Sequence, residues 1–506
     1  MELEQLLDFK WSIMTPEFII LGVATLLSIL DLFMPKSMDR KILGWIGVAG
    51  IAAATVSLAG FIDEPVTSIL FDTFRLDSFA KAFKFILLIG SLFVLLLAIS
   101  FEKKDGLAEF AGEFYYLFLT ALLGAMFMAS SGDLITLFIG LELLTISSWV
   151  LVGVTKRNKK SNESAMKYVI NGGISTAITL FGLSYIYGLT GTTNIKDMSG
   201  TLMTMGGSQN QLYLLAIAFF MTLVGLSFKL ATAPFHMWAP DVYEGAPTPV
   251  TAFLSIVSKT AGFVIIVRIF VSIFGSVPAT GAQDALPMLL HLQDYIGFLA
   301  GATMIIGNVI ALRQRNIKRM FAYSSIAHAG YILVAFTSMS YFTFDAIWFY
   351  LLAYLFMNVG AFAIIQLVGA KAGSDDISAY AGLYRRAPIL AVTFAVLILS
   401  LAGIPGTAGF IGKLNIFMGA FATEPAHYVL ASILIATSVV SYFYYFGIMT
   451  QMFFRPAADD SKFNIPVALL VVLIGSVVGT IALGILPNIA FDFLHDNFMQ
   501  FKDFLQ

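Results

Sequence analysis

Long apolar runs follow one another along this chain with almost no polar interruption, and they decide its solvent. A run of about 17–25 apolar residues crosses a ~30 Å hydrocarbon core as a helix, because in lipid every backbone donor and acceptor must be satisfied within the segment. Such runs fall at approximately 17–34, 42–62, 78–101, 113–130, 131–152, 165–190, 211–232, 250–276, 293–312, 319–339, 344–370, 387–421, 428–453 and 465–486. None alternates apolar and polar residues as membrane strands do. Charged residues make up 12% of the 506, half the roughly 25% of a soluble domain, so most of the surface is expected to face lipid.

Loop charges orient the spans, since Lys and Arg collect on the cytoplasmic side. One set of alternate loops holds Lys36, Arg40, Lys41, Lys103, Lys104, Lys156, Arg157, Lys159, Lys160, Arg313, Arg315, Lys318, Arg319, Lys371, Arg385, Arg386, Arg455 and Lys462. The opposite loops and both termini hold only Lys10, Arg75, Lys196 and Lys502, which places both termini outside the cytoplasm. The acidic start MELEQLLDFKW lacks the features of a cleaved leader, so the first apolar segment is expected to remain.

A net charge of −2 provides no basic field for nucleic acid, and with no cysteine the chain has no thiolate for an iron–sulfur cluster. No metal site and no bound cofactor are expected in this chain. It also has no H-E-x-x-H or G-x-S-x-G motif, so no covalent chemistry is expected of it.

The informative residues are charges inside spans. Lys81, Lys84 and Lys167 lie close enough to helix starts to reach the headgroups, and Arg268 suits an interface or a pairing role. Glu142, Lys229, Lys259 and Lys413 lie deeper. At about 2.5–3.5 kcal/mol each at the bilayer centre, four such charges facing lipid would cost on the order of 10 kcal/mol. They must face one another or water inside the bundle, either as static pairs or as a route for ions.

Two of these lysines come with a weakened backbone. The helix of Lys229 runs into Pro234, Pro240, Pro247 and Pro249, and that of Lys413 contains Gly403, Pro405, Gly406, Gly409 and Gly412. Proline removes an amide donor and glycine loosens what remains, so both helices should break inside the membrane, near Pro234 and Pro405. The breaks fall in the seventh and twelfth spans, which run in opposite directions, and this suggests inverted repeats. His328 sits at mid-membrane between the lysine-bearing helices, where relay and packing roles are both open, and His236 just past the first break is a possible relay or a plain interfacial histidine. Lysine suits proton relay because burial loosens its hold on a proton and an approaching carboxylate tightens it.

The expected fold is therefore all-α: a polytopic membrane protein of about fourteen transmembrane helices with two inverted five-helix repeats and two broken helices. Residues 1–110 carry the first three helices, 111–285 and 286–455 the repeats, and 456–506 the last helix and a C-terminal segment. In that segment Phe491, Leu494, Phe498, Phe501 and Leu505 fall at helical spacing, which suggests contact with the outer membrane interface.

The stretch FKLATAPFHMWAPDVYEGAPTPVTAFLSIVSKTAGF, with SLAGIPGTAGFIGKLNIF and the Glu142 helix, resembles the antiporter-like membrane subunits of bacterial respiratory complex I over nearly the whole chain. YEGAPTPV followed by PGTAGFIGK points to one branch of that family, while lysines on two broken helices are shared with multisubunit cation/proton antiporters. The resemblance implies that Glu142 is the family's mid-membrane acid, Lys229 and Lys413 its broken-helix lysines and Lys259 its connecting lysine, with His328 an additional relay residue. It implies proton pumping in a bacterial cytoplasmic (inner) membrane, driven by reduction of a quinone, ubiquinone or menaquinone, elsewhere in the assembly. NAD(H), flavin and iron–sulfur clusters would then sit in partner subunits, and neighbouring antiporter-like and small membrane subunits would flank this chain. A sodium/proton antiporter subunit and a non-pumping membrane scaffold are the rival expectations.

Overall fold

The computed structural model describes residues 9–35, 37–101, 110–204, 209–279, 286–340, 342–457, 463–498 and 501–504. Lys36, Lys103, Lys104 and Lys462 of the loop-charge argument, and Leu505 of the C-terminal segment, lie outside them. Among the described residues thirteen helices are long and apolar enough to cross a membrane, and the remaining expected span is present as two short helices with a gap between them.

In chain order the spanning helices and the short helices beside them are α1 Thr15–Phe33, α2 Lys41–Ala59, α3 Ser78–Ile99, α4 Ala111–Ala129, α5 Leu134–Val152, α6 Lys159–Thr190, α7 Gln209–Leu230 and α8 Trp238–Gly245, with a further surface helix at Ile195–Thr204. There follow α9 Thr248–Phe274, α10 Gln293–Ala311, α11 Ile317–Ser338, α12 Thr343–Ala372, α13 Pro388–Ala402, α14 Ala408–Phe421, α15 Tyr428–Phe454, α16 Val467–Ile485 and α17 Asn488–Phe498. Side chains close several N-termini whose amides lack a helical partner: Asp77 accepts from Ala80 N (2.7 Å), Asp133 from Ile135 N (2.7 Å) and Asn316 from Arg319 N (3.1 Å).

α9 is buried along its whole length and α3, α11 and α12 nearly so, whereas α1, α2, α6 and α15 lie at the periphery. Small residues let helices approach closely at equivalent places in the two expected repeats. A β-carbon at Gly124 would lie 2.6 Å from Leu144 N, pressing α4 on α5, and one at Gly307 would lie 2.7 Å from Ala327 N, pressing α10 on α11. α12 is fastened to α3 by Trp348 Nε1 on the Ala82 carbonyl (3.0 Å) and Gln366 Nε2 on the Leu97 carbonyl (3.1 Å).

One face of the bundle carries residues 9–14 and the tail after α16, and is called the terminal face. Here a hairpin absent from the sequence reading pairs β1 Thr67–Ile69 with β2 Phe74–Leu76. The tail differs from its expected membrane contact. Phe501 and Phe504 are buried against Phe79 (ring centroids 5.8 and 4.7 Å), and the Asp503 carboxylate accepts from Ser78 N (2.9 Å) and Ser78 Oγ (2.7 Å). Three phenylalanines and two leucines at helical spacing bind protein as readily as lipid, and Asp503 selects the protein because the Asp77 cap leaves the Ser78 amide at the start of α3 for it.

The shallow charges also depart from the headgroup expectation. Lys84 is fully buried against Glu17 (2.5 Å). Lys81 is buried and donates to the carbonyls of Ile62 and Glu64. Lys167 reaches the opposite face as an ion pair with Asp241 (2.6 Å) and Glu163 (2.7 Å). Arg268 takes the pairing role, bidentate on Asp77 (2.9 Å each) and bonded to the Ala129 carbonyl (2.6 Å). Apart from Glu163, one helical turn before Lys167, these partners are too distant in sequence to be read from spacing.

Candidate functional site

The first break follows from chemistry around Pro234. α7 ends at Leu230, Ala231 turns left-handed (φ 56°), and the Ala233 amide donates to Thr303 Oγ1 of α10 (2.9 Å) instead of continuing the helix. Trp238 Nε1 returns to the Phe228 carbonyl (3.0 Å), so the freed backbone is satisfied by protein, as a break at membrane depth requires. Lys229 thus sits at a helix C-terminus, whose partial negative charge favours an ammonium.

The second break spans Gly403 to Thr407 and contains Pro405. Gly403 (φ 91°) and Gly406 (φ 85°) take left-handed conformations that other residues avoid, and α14 then resumes beside the end of α13. Lys413 Nζ donates to the carbonyls of Leu401 (3.1 Å) and Ala402 (2.9 Å), which the break has left without amide partners. Both broken-helix lysines therefore lie at the carbonyl end of a half-helix.

Between these breaks the expected residues form a row at mid-depth. Glu142, near the middle of α5, accepts from Thr176 Oγ1 (2.9 Å), and Lys229 Nζ donates to Thr145 Oγ1 (3.1 Å). Both threonines line one cavity of about 20 Å³, large enough for a single water. The acid and the lysine thus communicate through hydroxyls and not by direct contact. Glu142 is also only half-buried, on the flank of the bundle, whereas Lys229, Lys259, Lys413 and His328 are buried. The Lys229 stem packs on α9, where a β-carbon at Gly262 would lie 3.4 Å from Lys229 Cγ.

One turn before Gly262 on α9 is Lys259, at the end of a π-helical stretch, Leu254–Ser258. Its Nζ donates to the carbonyl and hydroxyl of Ser325 and lies 5.7 Å from the Tyr354 ring. The Tyr354 ring lies 5.1 Å from that of His328, whose Nδ1 bonds Tyr350 OH (2.6 Å). The Tyr331 ring completes the row, 5.4 Å from His328 and 4.8 Å from Lys413 Nζ.

His236 is buried beyond the break, 6.4 Å from the Tyr323 ring, and no bond joins its side chain to the row among the described residues. Sequence reasoning missed Thr145, Thr176, Tyr243, Ser325, Tyr331, Tyr350 and Tyr354. Ser325 and Tyr331 were findable, three residues either side of His328 and so on the same helix face; Tyr243 stands between Asp241 and Glu244, and the others are hydroxyls hidden in apolar runs.

On the face opposite the tail, a cavity of about 640 Å³ opens between loops and is lined by Lys160, Glu244, Lys318, Asp375 and Asp376 among others. Hydrogen bonds from Ser378 to the Asp376 side chain hold that carboxyl below the usual carboxylate range. Arg319 at the start of α11 bonds both Asp241 (2.6 Å) and Glu244 (3.1 Å) of α8. Next to Glu244, the Tyr243 hydroxyl lies 3.2 Å from Ser325 Oγ, which holds Lys259. The cavity wall is thus two side chains from the middle of the row.

The family described as NADH:quinone oxidoreductase/Mrp antiporter, TM, matches residues 131–441, a stretch that contains the whole row. NADH-quinone oxidoreductase subunit N of Geobacillus sp. (strain WCH70) is 62% identical over 494 residues, covering 98% of this chain and 100% of the relative. A chain in the structure of respiratory complex I from Thermus thermophilus with bound aureothin superposes with a TM-score of 0.77 at 31% identity, covering 95% of this chain and 99% of that one. A chain of the Mrp complex from Dietzia sp. DQ12-45-1b shares the fold at a TM-score of 0.81 and 20% identity, covering 98% and 100%.

Proposed function

The chain belongs to the family of NADH-quinone oxidoreductase N subunits, and from that premise we propose that it carries protons across a bacterial cytoplasmic membrane through the Glu142–Lys229–Lys259–His328–Lys413 row. The observation that carries this reading is the row itself: Glu142 and Lys229 share a water-sized cavity through Thr176 and Thr145, Lys259, His328 and Lys413 follow one another through Tyr354 and Tyr331, and the Lys229 stem packs on the helix of Lys259. Intramembrane ionisable groups arranged so are costly for a scaffold and suited to relay.

In this reading residues 111–285 and 286–455 are the two inverted units, and the terminal face is the outer one. Protons enter from the 640 Å³ cavity through Tyr243 and Ser325 to Lys259. Changes in the Glu142–Lys229 coupling, transmitted through Thr176 and Thr145, then move charge along the row. The chain offers no cysteine thiolate for an iron–sulfur cluster. NAD(H), flavin, iron–sulfur and quinone chemistry belongs to partner subunits, and antiporter-like and small membrane subunits flank this one.

The test uses the whole complex in proteoliposomes oxidising NADH with quinone. Lys229→Ala and Glu142→Ala are expected to assemble and to abolish or strongly reduce proton transport. Undiminished transport in both variants overturns the reading.

A further inference from the structure

The row makes no use of a second buried acid–base pair, Glu17 on α1 and Lys84 on α3. Their side chains are 1% and 0% exposed, and Lys84 Nζ lies 2.5 Å from Glu17 Oε1. Beyond this ion pair, neither the ammonium nor either carboxylate oxygen has a hydrogen-bond partner among the described residues. A buried ion pair left so poorly satisfied stabilises a fold no better than two apolar side chains of the same size. Its retention therefore needs a reason other than packing.

Position supplies one. Seven residues along α3 toward the terminal face, ~10 Å by helical rise, stands Asp77, bidentate with Arg268 of α9. Arg268 lines a cavity of about 240 Å³ together with Asp72, Arg75, Ser272, Ser276 and Phe504. In the other direction, α3 meets α9 at Gly90, where a β-carbon would touch Ile256 and Val257 at 3.4 Å, next to Lys259. The pair lies between the mid-depth row and the terminal-face cavity.

We propose that Glu17 and Lys84 form a proton-loading site on the outward arm of the path, receiving a proton from the row and delivering one to the terminal-face cavity. The inference rests on the pumping reading above. The cycle balances. An arriving proton adds to a Glu17 carboxylate oxygen, and the resulting acid no longer holds the Lys84 ammonium. Lys84 then gives a proton to water on the cavity side, leaving a neutral acid beside a neutral amine. Transfer of the acid's proton to the amine restores the ion pair, so one proton has entered and one has left.

Lys84→Arg in the intact complex separates a carrier from a static pair. Arginine keeps the ion pair with Glu17 but does not give up its proton. The expected result is a complex that assembles and oxidises NADH but moves fewer protons per NADH; an unchanged ratio overturns the proposal. The double variant Glu17→Gln/Lys84→Met removes both charges together and leaves no buried unpaired charge, so it keeps the test open if arginine does not fit. The same loss is expected of it, and a wild-type ratio overturns the proposal. Lys229→Ala runs beside them. If it abolishes transport while both outer variants pump normally, only the outward site fails; if it too pumps normally, the row fails first.

Discussion

The ammonium of Lys413 lies 2.9 Å from the carbonyl oxygen of Ala402, the last residue of α13, so an amine on one half of a broken helix closes the end of the other half. Lys229 stands at the corresponding end of α7 with Thr145 as its acceptor. In both places the interruption exposes carbonyl oxygens that an ammonium can use, and the charge is placed where the backbone is weakest.

Gly403→Ala tests the second of these ends. A β-carbon there would lie 3.0 Å from Lys413 Cδ and 3.2 Å from Nζ, at a φ of 91°. The left-handed backbone alone costs about 1–2 kcal/mol. The complex is expected to melt at lower temperature and to transport protons several-fold more slowly, whereas Gly447→Ala, whose β-carbon meets nothing within 4 Å, leaves both unchanged.

Thr145→Val leaves Lys229 without its hydroxyl acceptor, and Thr176→Val removes the donor to Glu142. A lost hydrogen bond to a buried group is worth about 1–3 kcal/mol. Each variant is expected to slow proton transport in proteoliposomes on the order of tenfold, with rescue by Thr145→Ser and Thr176→Ser. Rates unaffected by valine at both positions would remove the hydroxyls from the path.

Arg268→Lys keeps the charge beside Asp77 but loses one arm of the fork and the reach to the Ala129 carbonyl. Breaking a buried pair outright costs about 3–5 kcal/mol. Native electrophoresis of membranes is expected to show markedly less assembled complex for Arg268→Ala, and only partial recovery for Arg268→Lys.

Arg319→Ala removes the cation that bonds Asp241 and Glu244, leaving α8 held to α11 by the Tyr243–Ser325 hydroxyl pair and to α6 by Lys160 and Lys167. The ion pairs are partly exposed, so the effect is modest, about a few-fold faster hydrogen–deuterium exchange in α8. Exchange equal to wild type would show that the α6 lysines and the Tyr243–Ser325 pair suffice.

The number of spans and both interruptions were legible because length and proline or glycine placement fix them locally. The row was legible as residue types: a charge that cannot face lipid must find company, and Lys229, Lys259, Lys413 and His328 all do. Who keeps that company was not legible. Thr145, Thr176, Tyr350 and Tyr354, which join the row, sit in apolar runs where nothing marks a hydroxyl as inward-facing, and Glu17 stands 67 positions from Lys84. The β1–β2 hairpin was hidden for the opposite reason: its tip, Leu70, Phe71 and Asp72, takes left-handed conformations without glycine.

Glu142 stands on the flank of the bundle, half-covered by its own chain. A carboxylate turned to hydrocarbon costs about 2.5–3.5 kcal/mol, a cost that a neighbouring membrane subunit packed on α5 would remove. Synthesised alone, the protein would be an unfinished circuit with a bare contact, which ties its production to that of a companion and makes orphan copies early substrates for membrane proteolysis.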